Sequence, residues 1–150
     1  ERLKQLSGKG YDKLLKNIFV VKINNFEEQS KRIENVVNLI DMFSLIVIDT
    51  IGSRYRNELK EDHQKTNKEM DKQLKLLSEF TRKDIPVIIV NQVYSDFNKD
   101  NEVKNVGGNM IENWSKCCIQ LKKNPRRIIF EKPFKKEILF QIKEKCVEIS

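Results

Sequence analysis

Short aliphatic runs alternate with segments of helical periodicity, and this alternation constrains the fold more than any other feature of the sequence. Residues 17–23 (NIFVVKI), 43–49 (FSLIVID) and 85–90 (IPVIIV) are rich in Val and Ile and too short for buried helices. Each is expected to be a buried strand, with Pro86 near the start of the third, where proline is tolerated. Between the first two, Asn24 and Asn25 offer an N-cap, and Glu28 stands three residues past Asn25 as in a capping box. Ile33, Val36, Val37 and Ile40 then mark one helix face. Between the second and third, Met70, Leu74, Leu77 and Phe80 stripe a helix expected over residues 65–83. Strand–helix alternation of this kind predicts an α/β fold with a mostly parallel sheet and helices on both faces.

The flanking segments have other patterns. Residues 2–16 predict two short helices broken at Gly8 and Gly10. Residues 51–64 are polar and mixed in charge, which predicts a loop or a frayed helix start. Residues 93–106 predict a long polar loop. Gly107 and Gly108 should then open a short helix with Met110, Ile111 and Trp114 inward. Residues 116–121, 127–131 and 138–142 predict strands, and Asn124-Pro125 and Pro133 mark turns between them. Those strands should form a C-terminal antiparallel extension.

A chain of 150 residues fits one domain. No apolar run approaches the ~18 residues that span a bilayer, and the first residues, Glu1, Arg2 and Lys4, do not resemble a signal peptide. Three cysteines, Cys117, Cys118 and Cys146, are too few for a disulfide framework and fit a reducing, cytoplasmic setting. The net charge is +7. Residues 122–145 hold nine basic residues (Lys122, Lys123, Arg126, Arg127, Lys132, Lys135, Lys136, Lys143 and Lys145) against three acidic ones, and so nearly all of that excess. Such a cluster fits a polyanion partner, and equally a solvated lysine-rich surface.

Two polar signals stand at the carboxyl ends of buried runs, where open α/β sheets bind ligands: Asp49-Thr50 and Asn91-Gln92. Four aliphatic residues followed by Asp49 match a Walker B strand, whose acid orients a magnesium ion on nucleotide phosphates, with the Thr50 hydroxyl beside it. Asp49 reads equally as an acid that merely ends a strand. Gln92 could touch a terminal phosphate or orient a water, or could simply cap a loop. His63 stands alone in a charged segment, and no Cys/His metal spacing is present.

Taken in order and spacing, residues 45–50, 85–93 and Val106-Gly107-Gly108-Asn109 resemble the RecA-type recombinase core. The stretch Val90-Asn91-Gln92-Val93-Tyr94-Ser95-Asp96, followed by Gly107-Gly108 and Trp114-Ser115-Lys116, is similar to the archaeal RadB paralogues of the RadA recombinases. The resemblance implies an RecA-like core and an ATP–Mg2+ site shared between subunits. Asp49 would be the magnesium-side acid, with Thr50 beside it and Gln92 as the phosphate sensor. It implies that residues 51–64, with Arg54 and Arg56, and residues 93–106 face DNA. It also implies a role in DNA repair by homologous recombination, with RadA-type recombinase and a homo-oligomer as partners, DNA that is single-stranded or branched, and weak ATPase activity at most.

The sequence departs from that pattern in three places. No G-x-x-x-x-G-K-[ST] phosphate loop is present, so residues 1–150 are expected to be a partial RecA-like core whose phosphate cradle lies upstream, and inactive alone. Residues 93–106 carry three acids against Lys99 and Lys104, a poor grip for phosphate. Pro133-Phe134 interrupts the basic run after Lys132.

Overall fold

The computed structural model describes residues 1–95 and 103–149. The chain divides into two compact units, Ile23–Ser115 and a second made of Glu1–Lys22 with Lys116–Ser150. In the second unit, α1 (Arg2–Ser7) and α2 (Tyr11–Leu15) are separated by a 3-10 turn at Gly8–Gly10, as the glycine spacing predicts. In the first, α3 (Phe26–Val37) follows the Asn25 cap, whose side-chain oxygen accepts from Glu28 N–H at 2.8 Å. The Glu28 carboxylate reaches back one residue further than a capping box requires, to Asn24 N–H at 2.9 Å. Next come β1 (Ile46–Asp49), α4 (Gly52–Glu58), α5 (His63–Arg82), β2 (Val87–Val90), β3 (Val93–Ser95), β4 (Val103–Asn105) and α6 (Asn109–Trp114). Four strands complete the second unit: β5 (Cys118–Lys122), β6 (Arg127–Lys132), β7 (Lys136–Ile142) and β8 (Val147–Ile149).

β1 and β2 pair in parallel, with Asp49 opposite Val90. One face of this pair, Ile46, Ile48, Val87 and Ile89, packs on a core built from α3, α4 and α5: Phe26, Ile33, Tyr55, Met70, Leu74 and Leu77. Ile51, just past β1, is completely buried in the same core. The opposite face, with Leu45, Val47, Ile88 and Val90, is exposed, so among the described residues of this unit the helices cover one face of the sheet. β5 to β8 form an antiparallel meander in sequential order, with a bulge at Cys118/Ile119.

Four expectations need correction. Residues 17–23 form no strand. An aliphatic run becomes a strand only beside a neighbouring strand, and among the described residues no strand pairs with this run. Ile18, Phe19, Val20 and Val21 are accordingly exposed. Residues 51–64 are not a loop, because α4 forms there and α5 starts at His63, earlier than the apolar stripe indicates, where the Asp62 side chain accepts from Lys65 N–H at 3.0 Å. Residues 93–106 open and close as the antiparallel pair β3–β4, the tip between them lying outside the described residues. Trp114 is not a core residue. It is 40% exposed, and its indole N–H donates to Asp71 Oδ1 at 2.9 Å, which satisfies the polar end of the ring at the surface.

Candidate functional site

The parallel register puts the two polar strand tips side by side. Asp49 ends β1 and is exposed; strand alternation sets it on the open face with Val47, away from the helices. Thr50 follows, half-buried. Gln92 stands two residues beyond the end of β2, exposed. Asp49, Thr50 and Gln92 therefore share one edge of one sheet.

What lies behind that edge is tightly fastened. Ile51 N–H donates to Val90 C=O at 3.1 Å, so the ladder continues past the acid. Asn91 Nδ2 donates to Val106 C=O at 2.8 Å, and Asn91 Oδ1 accepts from Gln92 N–H at 2.9 Å. Val106 N–H donates back to Gln92 C=O at 3.1 Å. Asn91 thus closes the base of the segment between Gln92 and Val106 and fixes the backbone from which the Gln92 side chain projects. Gly52 is forced by this closure. A Cβ there would lie 2.6 Å from Asn91 Oδ1 and 2.8 Å from Val106 Cγ1, closer than any side chain tolerates. Asn91 is marked in the sequence only as a polar residue ending an apolar run, and Gly52 not at all, because their roles depend on a contact between segments some forty residues apart.

Magnesium binds oxygen ligands and is held in nucleotide sites by one or two carboxylates together with phosphates and water. Among the described residues no group of three His, Cys, Asp or Glu could enclose a metal ion. One exposed carboxylate, a hydroxyl and an amide on one edge fit the protein's share of a site completed by phosphate oxygens, and do not fit a closed protein cage. A phosphate cradle needs backbone N–H groups converging on the anion, and no phosphate-loop motif supplies one in this sequence.

The basic candidates are distributed in two ways. On α4, Arg54 is half-buried and donates to Ile23 C=O at 3.2 Å, which engages its guanidinium in holding the start of α3. Arg56 is exposed and lies over the Tyr94 ring, 5.7 Å from its centroid. The two residues line a shallow concavity with Leu59, Asn105, Gly107 and Gly108. Tyr55 beside them is buried against Phe26, its hydroxyl bonded to Asn67 Oδ1 at 2.5 Å, and burial pushes its pKa up.

In the meander, the basic run is contiguous in sequence but not in space. Successive turns of a meander lie at opposite ends of the sheet. Lys122, Lys123, Arg126 and Arg127 surround the β5–β6 turn, and the β7–β8 turn with Lys143 and Lys145 lies at that same end. Lys132, Lys135 and Lys136 surround the β6–β7 turn at the other end. A six-residue strand separates them by roughly 20 Å. Arg127 is paired with Glu137 at 3.0 Å. Lys123, Arg126, Lys135 and Lys136 are exposed.

The Rad51 family model matches residues 2–149. Over 138 residues the chain is 39% identical to the DNA repair and recombination protein RadB of Methanococcus maripaludis, an overlap of 88% of this chain and 62% of that protein. It is 36% identical to the RadB of Methanobrevibacter smithii over 82% of this chain and 55% of the relative. It is 35% identical to the RadB of Methanocaldococcus jannaschii over 99% of this chain and 74% of the relative. The chain belongs to the Rad51 family, whose fold is RecA-like. Within that family its likeness is to the RadB type. It spans about three-fifths of the length of the first of these relatives. RecA-family proteins bind ATP with Mg2+. Among the described residues no helix is long and apolar enough to cross a membrane.

Proposed function

We propose that this chain is the part of a RadB-type DNA repair and recombination protein that senses nucleotide and carries most of its DNA-attracting charge. The observation that supports this reading is the register of β1 and β2, which brings Asp49 and Gln92 to one sheet edge while Asn91 ties Gln92 to the base of the segment before Val106. Asp49, with Thr50, would hold Mg2+ on the phosphates, and Gln92 would contact the terminal phosphate. Bound ATP would supply the negative charge for Gln92 to contact, and a phosphate cradle that these residues do not include would complete the site. Arg56 beside Tyr94, and the basic ends of the meander, would meet DNA, single-stranded or branched, through its phosphates. The activity that fits is accessory: assistance to a RadA-type recombinase, in a homo-oligomer or with that partner, in the cytoplasm, with slow ATP turnover or none.

Steady-state ATP turnover by the protein carrying its phosphate loop, with and without single-stranded DNA, tests this reading. Turnover that stays slow while DNA is bound supports it. Brisk DNA-stimulated turnover identifies a strand-exchange motor instead, and DNA binding that is absent at low salt identifies an ATPase acting on protein partners. Calorimetry of the 150-residue chain with ATP and magnesium should show no tight site; a micromolar site would contradict the division of the nucleotide pocket.

A further inference from the structure

Two buried amide side chains are linked to the backbone just past the tip of β1. Gln29 on α3 and Gln73 on α5 are 4% and 0% exposed. Gln29 Nε2 donates to Gln73 Oε1 at 2.8 Å and to Ile51 C=O at 3.3 Å. Gln73 Nε2 donates to Ser30 Oγ at 2.6 Å, and Ser30 Oγ donates to Phe26 C=O at 3.3 Å. A chain of hydrogen bonds therefore runs from the backbone of Ile51 to the backbone of Phe26, through three buried side chains on two helices. Aliphatic residues would fill this space without the desolvation cost that buried amides carry. What the amides add is a donor aimed at one backbone carbonyl.

That carbonyl belongs to a residue held from every side. The Ile51 side chain is completely buried, its N–H is bonded to the tip of β2, and its C=O takes the Gln29 amide. Ile51 lies two residues after Asp49 and immediately before α4, which carries Arg56. We propose that Gln29 and Gln73 are positioning residues: by fixing the Ile51 carbonyl they make the Asp49 tip and the start of α4 a single rigid joint. A displacement of Asp49 by nucleotide would then be passed to Arg56 rather than absorbed in the turn. The consequence for Arg56 rests on the proposed function; the rigidity of the joint does not.

The test replaces all three side chains, so that no buried side-chain amide or hydroxyl is left unpaired and only the Ile51 carbonyl loses its side-chain donor. Gln29→Met/Ser30→Ala/Gln73→Met should fold with stability near that of the wild type, since replacing hydrogen-bonded side chains together by apolar ones of similar size is close to neutral. Amide exchange at Ile51 should nonetheless rise about tenfold, the effect of one ordinary hydrogen bond, while amides in the middle of α5 keep their rates. Unchanged exchange at Ile51, or an equal rise along α5, would overturn the proposal and leave the network as core filling. Ser30→Ala/Gln73→Met, which keeps Gln29 but frees its amide to turn, guards against misfolding of the triple variant. It should give a smaller rise at Ile51, about threefold, and no rise there would likewise refute the positioning role. In the protein with its phosphate loop, the triple variant should lose most of the nucleotide dependence of DNA affinity. A wild type without any such dependence would sink the proposed function while the exchange result still decides the joint.

Discussion

The two units use the same residue types in opposite ways. In Ile23–Ser115 the apolar side chains close into a core that includes Ile51, Met70 and Phe80, all fully buried. In the unit of Glu1–Lys22 and Lys116–Ser150 no described residue is buried, and Leu121, Ile142 and Ile149 are more than half exposed on a sheet whose rims carry the charge. A site that must place an amide to within fractions of an ångström needs the first arrangement. A surface that attracts phosphate over a distance needs only charge and can be built on the second.

The comparison predicts the largest contrast in stability. Phe80→Ala should cost about 3–5 kcal/mol in chemical denaturation, because it empties a fully enclosed volume. Leu121→Ala, at a site 69% exposed, should cost under about 1 kcal/mol. Equal effects would mean that the meander is as tightly packed as the helical layer. A second contrast is local. Gly52→Ala should destabilise by about 1–3 kcal/mol through collision with Asn91 and Val106, whereas Gly10→Ala, with open space around it, should be near neutral.

The charge side breaks differently. With three to five phosphates neutralised, log K for single-stranded DNA should fall against log salt with a slope of about −2 to −4. Lys123→Glu/Arg126→Glu should flatten that slope by about one to two units for all sequences. Arg127 is a poorer target, since its guanidinium already faces Glu137. The smallest effect concerns pH. Hydrogen bonds from the Asn24 backbone and side chain hold Glu28 below its ordinary value of 4.5. Its contribution to the start of α3 is therefore present above that value and lost as pH falls through the lower folded one. The difference in melting temperature between wild type and Glu28→Gln should shrink as pH drops below 4.5 and persist at neutrality.

Period and composition made much of this architecture legible in the sequence. The 3.6-residue stripe from Met70 to Phe80 and the Ile46–Asp49 run both became the elements they resemble, because each can satisfy its pattern locally or against its neighbour. The run at residues 17–23 is as aliphatic as β1 and forms no strand, because a pairing strand is not written in a strand's own residues. Asp49 and Gln92 were visible as polar residues ending apolar runs. The tie that Asn91 makes to Val106, the need for Gly52 and the Gln29–Gln73 pair were not, since each acts across a contact that exists only once the segments have packed. The basic run, contiguous in sequence, is parted by the turns of the meander, as the turn signals at Asn124-Pro125 and Pro133 lead one to expect.

The division of labour between the two units can be tested in one measurement: salt-titrated affinity for single-stranded DNA, with and without ATP–Mg2+, in the protein carrying its phosphate loop. Gln92→Ala should abolish the nucleotide dependence and leave the salt slope as in wild type. Lys123→Glu/Arg126→Glu should keep the nucleotide dependence and flatten the slope. If both variants change the same quantity, or if Gln92→Ala alters the salt slope alone, sensing and attraction are not separated as proposed, and the account fails.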